Sequence, residues 1–278
     1  MGKRGYGFIK HEFCNVGKEP YKILGKNLVT QARLSEPIQI LEEKAHWYYI
    51  EMSDGYRGWI HSANAEQVSE KMWREWLEKP HVLVTDSFCP ILSCANLKSI
   101  NSAVMAARLR LIGENAEYYL VALPDGQAGM LPKTAGIVIQ SFDEIPKGTY
   151  DSIIETGKKF IGLPYFWGGT TPYGFDCSGF VQTLFLINGF KLPRDANQQF
   201  EFKKGEPVKE RKELEKGDAV FFSTSDSEPS HVGIYMGNGE YIHSSGKSGV
   251  CINSFYPQAH NYREDLDKSY IGARRYRL

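Results

Sequence analysis

A stretch of sequence recurs without a gap 71 positions further on: residues 45–60 align with residues 116–131. Each copy places a run of aromatic and β-branched residues before Asp54-Gly55 or Asp125-Gly126, and a second short run after it. An Asp-Gly pair between such runs is a strong hairpin signal. Residues 38–42 and 109–113 match at the same offset. A chain built this way must make the same turn and the same flanking strands twice. Two similar β-barrels of about 60 to 70 residues are the economical solution. Residues 66–79 carry Val68, Met72, Trp73, Trp76 and Leu77 at helical spacing and stop at Pro80, so a helix is expected there as a connector.

From Tyr150 the pattern changes. Ile153, Ile154, Gly157, Phe160 and Ile161 predict an amphipathic helix ending before Pro164. A Gly-rich loop follows, then Asp176-Cys177-Ser178-Gly179-Phe180 and an apolar run that predicts a helix to about Asn188. Residues 196–204 predict another helix, residues 219–222 a buried strand, and residues 231–236 and 240–244 a hairpin about Gly237-Asn238-Gly239. Helices first and strands afterwards read as α+β. Residues 141–148, with Pro146-Lys147-Gly148, read as a linker. The expected organisation is a first barrel at 1–70, a helical connector at 71–80, a second barrel at 81–145 and a catalytic domain at 146–278.

Lys+Arg and Asp+Glu are both 33, so charge gives no case for nucleic acid or an anionic membrane as partner. No apolar run approaches the roughly 18 residues of a spanning helix. No apolar leader follows Lys3 and Arg4, which favours the cytoplasm; removal of a leader would place the protein in the cell envelope or outside it. Five cysteines at scattered spacing do not form a disulfide framework, and Cys89 and Cys94 read as buried small residues.

Cys177 sits where a loop becomes a helix. Free N–H groups and the helix dipole there favour a thiolate, the nucleophilic form. It needs a base. His231 begins a strand whose Val232, Ile234 and Met236 share the other face; His243 lies on the return strand. A three-residue loop, or a bulge, puts His243 opposite Gly233 and makes the two histidines neighbours. A plain two-residue Asn-Gly loop puts His243 opposite Ile234 and turns it away. Function therefore requires the odd loop or the bulge. His231 is then the base and His243 its orienting partner, while Gly233 leaves the pair room.

Asp176-Cys177-Ser178-Gly179-Phe180-Val181, His231-Val232-Gly233-Ile234-Tyr235 and Tyr241-Ile242-His243-Ser244 resemble the three motifs of the NlpC family of papain-like cysteine peptidases. Gly55-Tyr56-Arg57-Gly58-Trp59-Ile60 resembles the bacterial SH3-like domain; the second copy departs from it at Gln127 and Met130. The resemblance implies a papain-like α+β domain preceded by two SH3-like barrels. It implies Cys177 as nucleophile, His231 as base, His243 as third polar residue, and Tyr165 beside the Cys177 N–H at the oxyanion. Pro164-Tyr165-x-Trp167-Gly168-Gly169 also fits the family.

The layout is similar to the γ-D-glutamyl-L-diamino acid endopeptidases, which release L-Ala-γ-D-Glu from murein peptides and require a free N-terminal L-Ala. The resemblance then places Tyr56, Trp167, Asp176, Ser178, Arg194 and Asp195 around the dipeptide. The acidic partner that the family carries earlier in the first barrel has no clear counterpart; Lys26 and Glu36 lie in that region. No cofactor or metal is implied, the partner is a murein-derived peptide, and a monomer is expected. Other readings are a cell-wall-peptide binding protein with a degenerate hydrolase domain, another cell-wall amidase, a zinc site at Cys177, His231 and His243, and a surface ion pair between Arg194 and Asp195. The remaining histidines (11, 46, 61, 81 and 260) read as ordinary.

Overall fold

The computed structural model describes residues 5–223 and 228–277 and forms two compact units, Met1–Pro146 and Lys147–Leu278. In the first unit, β1 (Gly5–Ile9), β2 (Phe13–Gly17), β3 (Leu28–Arg33), β4 (Pro37–Lys44), β5 (Trp47–Met52), β6 (Arg57–His61) and β7 (Ala65–Val68) make one antiparallel sheet in the order β3-β2-β6-β5-β4-β1-β7. A second sheet follows with β8 (His81–Val84), β9 (Phe88–Ser93), β10 (Ser99–Val104), β11 (Arg108–Glu114), β12 (Tyr118–Ala122), β13 (Ala128–Pro132) and β14 (Gly136–Ile139). Its order, β10-β9-β13-β12-β11-β8-β14, is the first order repeated strand for strand.

The repetition reaches single residues. Leu41 is an extra, unpaired residue in the β4–β5 ladder, and Ile112 is the same in β11–β12. Ser35 (φ 61°) and Ala106 (φ 69°) both take the left-handed conformation, as do Gly55 (φ 82°) and Gly126 (φ 86°). Each pair is 71 residues apart. The turns close alike: Asp54 Oδ1 accepts from the Tyr56 N–H at 2.9 Å and Asp125 Oδ1 from the Gln127 N–H at 3.1 Å. An aspartate that bonds its own backbone two residues on stabilises such a turn.

The connecting helix, α1 (Glu70–Leu77), starts later than its periodicity predicts. Residues 66–68 belong instead to β7, where Val68 pairs with Tyr6, and Ser69 caps the helix by accepting from the Met72 N–H at 3.2 Å. Helical spacing is local information; a waiting strand edge overrides it. Trp73 and Trp76 of α1 lie 5.3 and 4.9 Å, ring to ring, from Tyr6 and Phe8.

The two sheets of this unit share a buried ion pair. Arg108 lies 3.4 Å from Glu36, and its guanidinium sits 3.5 Å over the Phe142 ring. Glu36 also accepts from the Ser53 hydroxyl at 2.5 Å and from the Ser53 N–H at 3.0 Å. The carboxylate of Glu36 is thus occupied within its own unit. Cys89 is buried as expected, but Cys94 is exposed, because it lies at the end of β9 where the chain turns toward β10.

The second unit starts with α2 (Tyr150–Lys158), where Thr149 and Ser152 cap the helix reciprocally. A small hairpin, β15 (Thr170–Thr171) and β16 (Gly174–Phe175), precedes α3 (Cys177–Leu186); α4 (Ala196–Glu201) ends short of its expected limit at 204. The strands are β17 (Gly205–Val208), β18 (Ala219–Phe222), β19 (His231–Gly237), β20 (Glu240–Ser245), β21 (Gly249–Ser254) and β22 (Tyr270–Tyr276), with α5 (Glu264–Lys268) before the last. They form an antiparallel sheet in the order β17-β22-β18-β19-β20-β21. Residues 177–185 of α3 and all of β18 are buried. Among the described residues no helix is long and apolar enough to cross a membrane.

Candidate active site

Helix α3 packs against β19 and β20, which brings its first residue, Cys177, to the hairpin. The Gly-rich loop makes this close approach possible. A Cβ on Gly179 would lie 2.2 Å from the Gly169 carbonyl oxygen, and one on Gly169 would lie 2.1 Å from that of Gly174. Glycine alone fits where backbone meets backbone so tightly.

Asp176 caps α3. Its Oδ1 accepts from the Gly179 N–H at 2.7 Å and its Oδ2 from the Gly168 N–H at 3.0 Å. Arg194 then donates to both oxygens, at 3.0 and 2.6 Å, and to the Ser178 hydroxyl at 2.8 Å. Arg194 is only 2% exposed. Arg194 is therefore not a surface cation: it turns inward to Asp176, where a buried bidentate pair ties loop to helix. Asp195 is half-buried at the start of α4, its N–H donating to Gln198 at 3.3 Å.

The hairpin settles the register question in one of the two permitted ways. Its loop is the two-residue Asn238-Gly239, both at positive φ (53° and 78°), as this turn demands. Gly237 pairs with Glu240, but the next pair is Tyr235 with Tyr241, so Met236 is bulged out. The pairing of Ile234 with Ile242 then places Gly233 beside His243. A Cβ on Gly233 would stand 3.0 Å from the His243 Cβ. The bulge, not a three-residue loop, restores the register that the chemistry needs.

His231 Nε2 lies 2.6 Å from His243 Nδ1, with the rings at 78°. His243 Nε2 lies 2.8 Å from Asn253 Oδ1 and 3.4 Å from the Cys251 sulfur. Cys251 is directly across the ladder from His243. Cys177 Sγ sits 3.9 Å from the Ser230 carbonyl oxygen, and the Val232 N–H also acts on it. The sulfur thus meets backbone on both sides of His231.

The electrostatics differ from a simple helix-start argument. Burial pushes the Cys177 thiol up to about 12, the Asp176 charge adds to this, and the Val232 N–H, Arg194 and the Ser178 N–H only partly offset it. Desolvation of a charge outweighs the dipole here. Burial, then His243 and Arg263, hold His231 well below the ordinary imidazole range; burial holds His243 down at about 4. In each case burial favours the uncharged form of the group. Tyr165 is half-buried; burial, then Cys177 and Asp176, push its hydroxyl up, so it stays a donor.

Trp167 is 59% exposed on the same loop. Tyr56 belongs to the first unit, half-buried beside the Asp54 turn. Asn253 and Cys251 were not singled out from sequence. The signal that finds them is pairing: once β20 is known to carry a site residue, the strand after it supplies the neighbours.

Known proteins similar to this chain identify its family. A Bacillus cereus protein named gamma-D-glutamyl-L-lysine dipeptidyl-peptidase is 33% identical over 260 residues, spanning 90% of this chain and 75% of the relative. The chain belongs to the NlpC/P60 family. This is a family of cysteine peptidases, and its pattern matches residues 162–268. Residues 24–64 match a bacterial dipeptidyl-peptidase Sh3 domain. Dipeptidyl-peptidase 6 of Lysinibacillus sphaericus is 29% identical over 87% of this chain and 90% of its own length. The crystal structure of an NlpC/P60 family protein from Bacillus cereus superposes with a TM-score of 0.85 at 28% identity, covering 98% of this chain and 99% of that one. The NlpC/P60 chain described here thus has the papain-like fold behind an SH3-like domain.

Proposed function

We propose that this NlpC/P60 enzyme cleaves the γ-D-Glu–L-diamino acid bond of murein peptides and releases L-Ala-γ-D-Glu from peptides with a free N-terminal L-Ala. The Bacillus cereus relative's name points to this bond, and the Lysinibacillus sphaericus relative's name to dipeptide release. The observation that carries the reading is the histidine pair, joined at 2.6 Å, with the backbone on either side of His231 set against the Cys177 sulfur.

Cys177 is the nucleophile. Its proton passes to His231 as the sulfur attacks the γ-carbonyl carbon, so thiolate need not accumulate beforehand. The Cys177 N–H and the Tyr165 hydroxyl donate to the oxyanion. His231 then gives its proton to the departing amine, and water hydrolyses the thioester and restores the thiol. His243 orients His231. Asp176, Arg194 and Ser178 build the wall of the dipeptide pocket, Trp167 borders it and Asp195 meets the substrate ammonium.

We assign residues 1–70 and 81–145 to two SH3-like barrels, 71–80 to their connector and 146–278 to the peptidase, acting as a monomer. The identical strand orders support the second barrel.

The test is L-Ala-γ-D-Glu-L-Lys and its diaminopimelate analogue, with mass detection of free L-Ala-γ-D-Glu. The dipeptide is expected from the intact protein and not from Cys177→Ala. N-acetylation of the alanine is expected to stop release. Tight binding without turnover under reducing conditions would overturn the hydrolase reading.

A further inference from the structure

We propose that Asn253, held by the Asn261 backbone, is a positioning residue that selects the proton-accepting tautomer of His231. This rests on the assignment of His231 as base and goes beyond it: it says what makes that base competent.

The argument is one of direction along a chain of hydrogen bonds. Asn253 is 9% exposed, on β21, and its Nδ2 lies 2.8 Å from the Asn261 carbonyl oxygen. A carbonyl oxygen can only accept, so the amide nitrogen must face Asn261 and the amide oxygen must face His243. At 2.8 Å from that oxygen, His243 Nε2 must carry a hydrogen. A neutral His243 then has a bare Nδ1. Facing it at 2.6 Å, His231 Nε2 must be the donor. The remaining nitrogen of a neutral His231, Nδ1, is left bare and able to take the thiol proton.

The reverse polarity would disable the base. With His243 Nδ1 protonated, His231 Nε2 becomes the acceptor and its Nδ1 carries the hydrogen. That form brings two acceptors, His243 Nε2 and Asn253 Oδ1, face to face at 2.8 Å in a buried site. An unsatisfied contact of this kind is costly away from water. Removing the amide lifts that penalty. It also leaves the Cys251 thiol, 3.4 Å from His243 Nε2, as a weak donor that favours the wrong form.

The experiment compares Asn253→Ala, Asn253→Asp and the intact protein in peptide hydrolysis and in histidine-ring 15N NMR. Asn253→Ala is expected to lower kcat by on the order of 10- to 100-fold with KM unchanged, within the roughly 10²–10⁴ that a general base contributes. Asn253→Asp keeps an acceptor toward His243, with the acid proton on its other oxygen to meet the Asn261 carbonyl, and is expected to recover activity. Thermal melting separates either loss from unfolding. In the intact protein NMR is expected to show hydrogen on Nε2 of both histidines, and in Asn253→Ala a mixture. Hydrogen on His231 Nδ1 in the intact protein, or unchanged kcat in a folded Asn253→Ala, would overturn the proposal. Failure of the intact protein to cleave any peptide would instead overturn the hydrolase reading, while the NMR comparison would still decide the tautomer.

Discussion

Cys177 combines two opposing influences. Its place at the head of α3 favours a thiolate, and its burial and the Asp176 carboxylate favour the thiol, pushing it up to about 12. Burial wins because the charge would lose its water while gaining only partial dipoles. The expected consequence is a resting enzyme that alkylates as a thiol. Iodoacetamide inactivation should rise with pH beyond the ordinary thiol value of about 8.5. A rate already at its plateau near pH 6 would show an imidazolium–thiolate pair and sink this view. Asp176 has a structural consequence too. Asp176→Ala removes the helix cap and takes the carboxylate away from the buried Arg194 guanidinium. Breaking a buried pair this way costs about 3–5 kcal/mol, so a loss of that order is expected in urea unfolding; a loss under about 1 kcal/mol, the range of surface pairs, would contradict the assignment.

At the scale of elements, the site depends on one bulge. Met236 is the extra residue that lets a two-residue turn coexist with Gly233 opposite His243. Deleting Met236 alone converts the bulge into plain ladder and keeps every flanking pair, so hydrolysis should survive. Deleting Tyr235 with Met236 slips Gly233 off His243 and sends His231 out of reach, so turnover should vanish while the hairpin still forms. Equal activity in the two deletions would refute the register argument. The same economy holds the Gly-rich loop to α3, where Gly169 and Gly179 admit backbone at distances no side chain tolerates.

Across the whole molecule, each unit carries a buried histidine held down at about 4: His81 in the first and His243 in the second. His81 Nδ1 lies 2.7 Å from the Lys79 carbonyl oxygen and donates to it. Burial is the main cause of the shift, with Arg108 and Arg110 adding to it. The sign follows from proton binding. Between about 6.5 and 4 the unfolded chain takes up protons that the folded one refuses. Stability is therefore full above about pH 6.5 and falls as pH drops through that window, by up to about 1.4 kcal/mol per pH unit for each group. Urea unfolding between pH 7 and 4 should show this slope, and His81→Gln should flatten its share. An unchanged slope in His81→Gln would remove His81 from the account.

Sequence alone determined the repeat, the Asp-Gly turns, the helix start at Cys177 and the identity of the two strand histidines, because each is local: a period, a dipeptide or a motif. It also narrowed the hairpin to an odd loop or a bulge, since side-chain alternation has a period of two. Only the tertiary structure decided between them. Only it turned Arg194 inward to Asp176, moved residues 66–68 from helix into β7, and buried Cys177 so that desolvation works against its thiolate. Each of these is decided by partners distant in sequence: a strand edge, a buried carboxylate, or the loss of water around a sulfur. The Asn253 contact belongs to the same class, because it exists only once β21 lies beside β20 and the Asn261 carbonyl has fixed which way an amide must point.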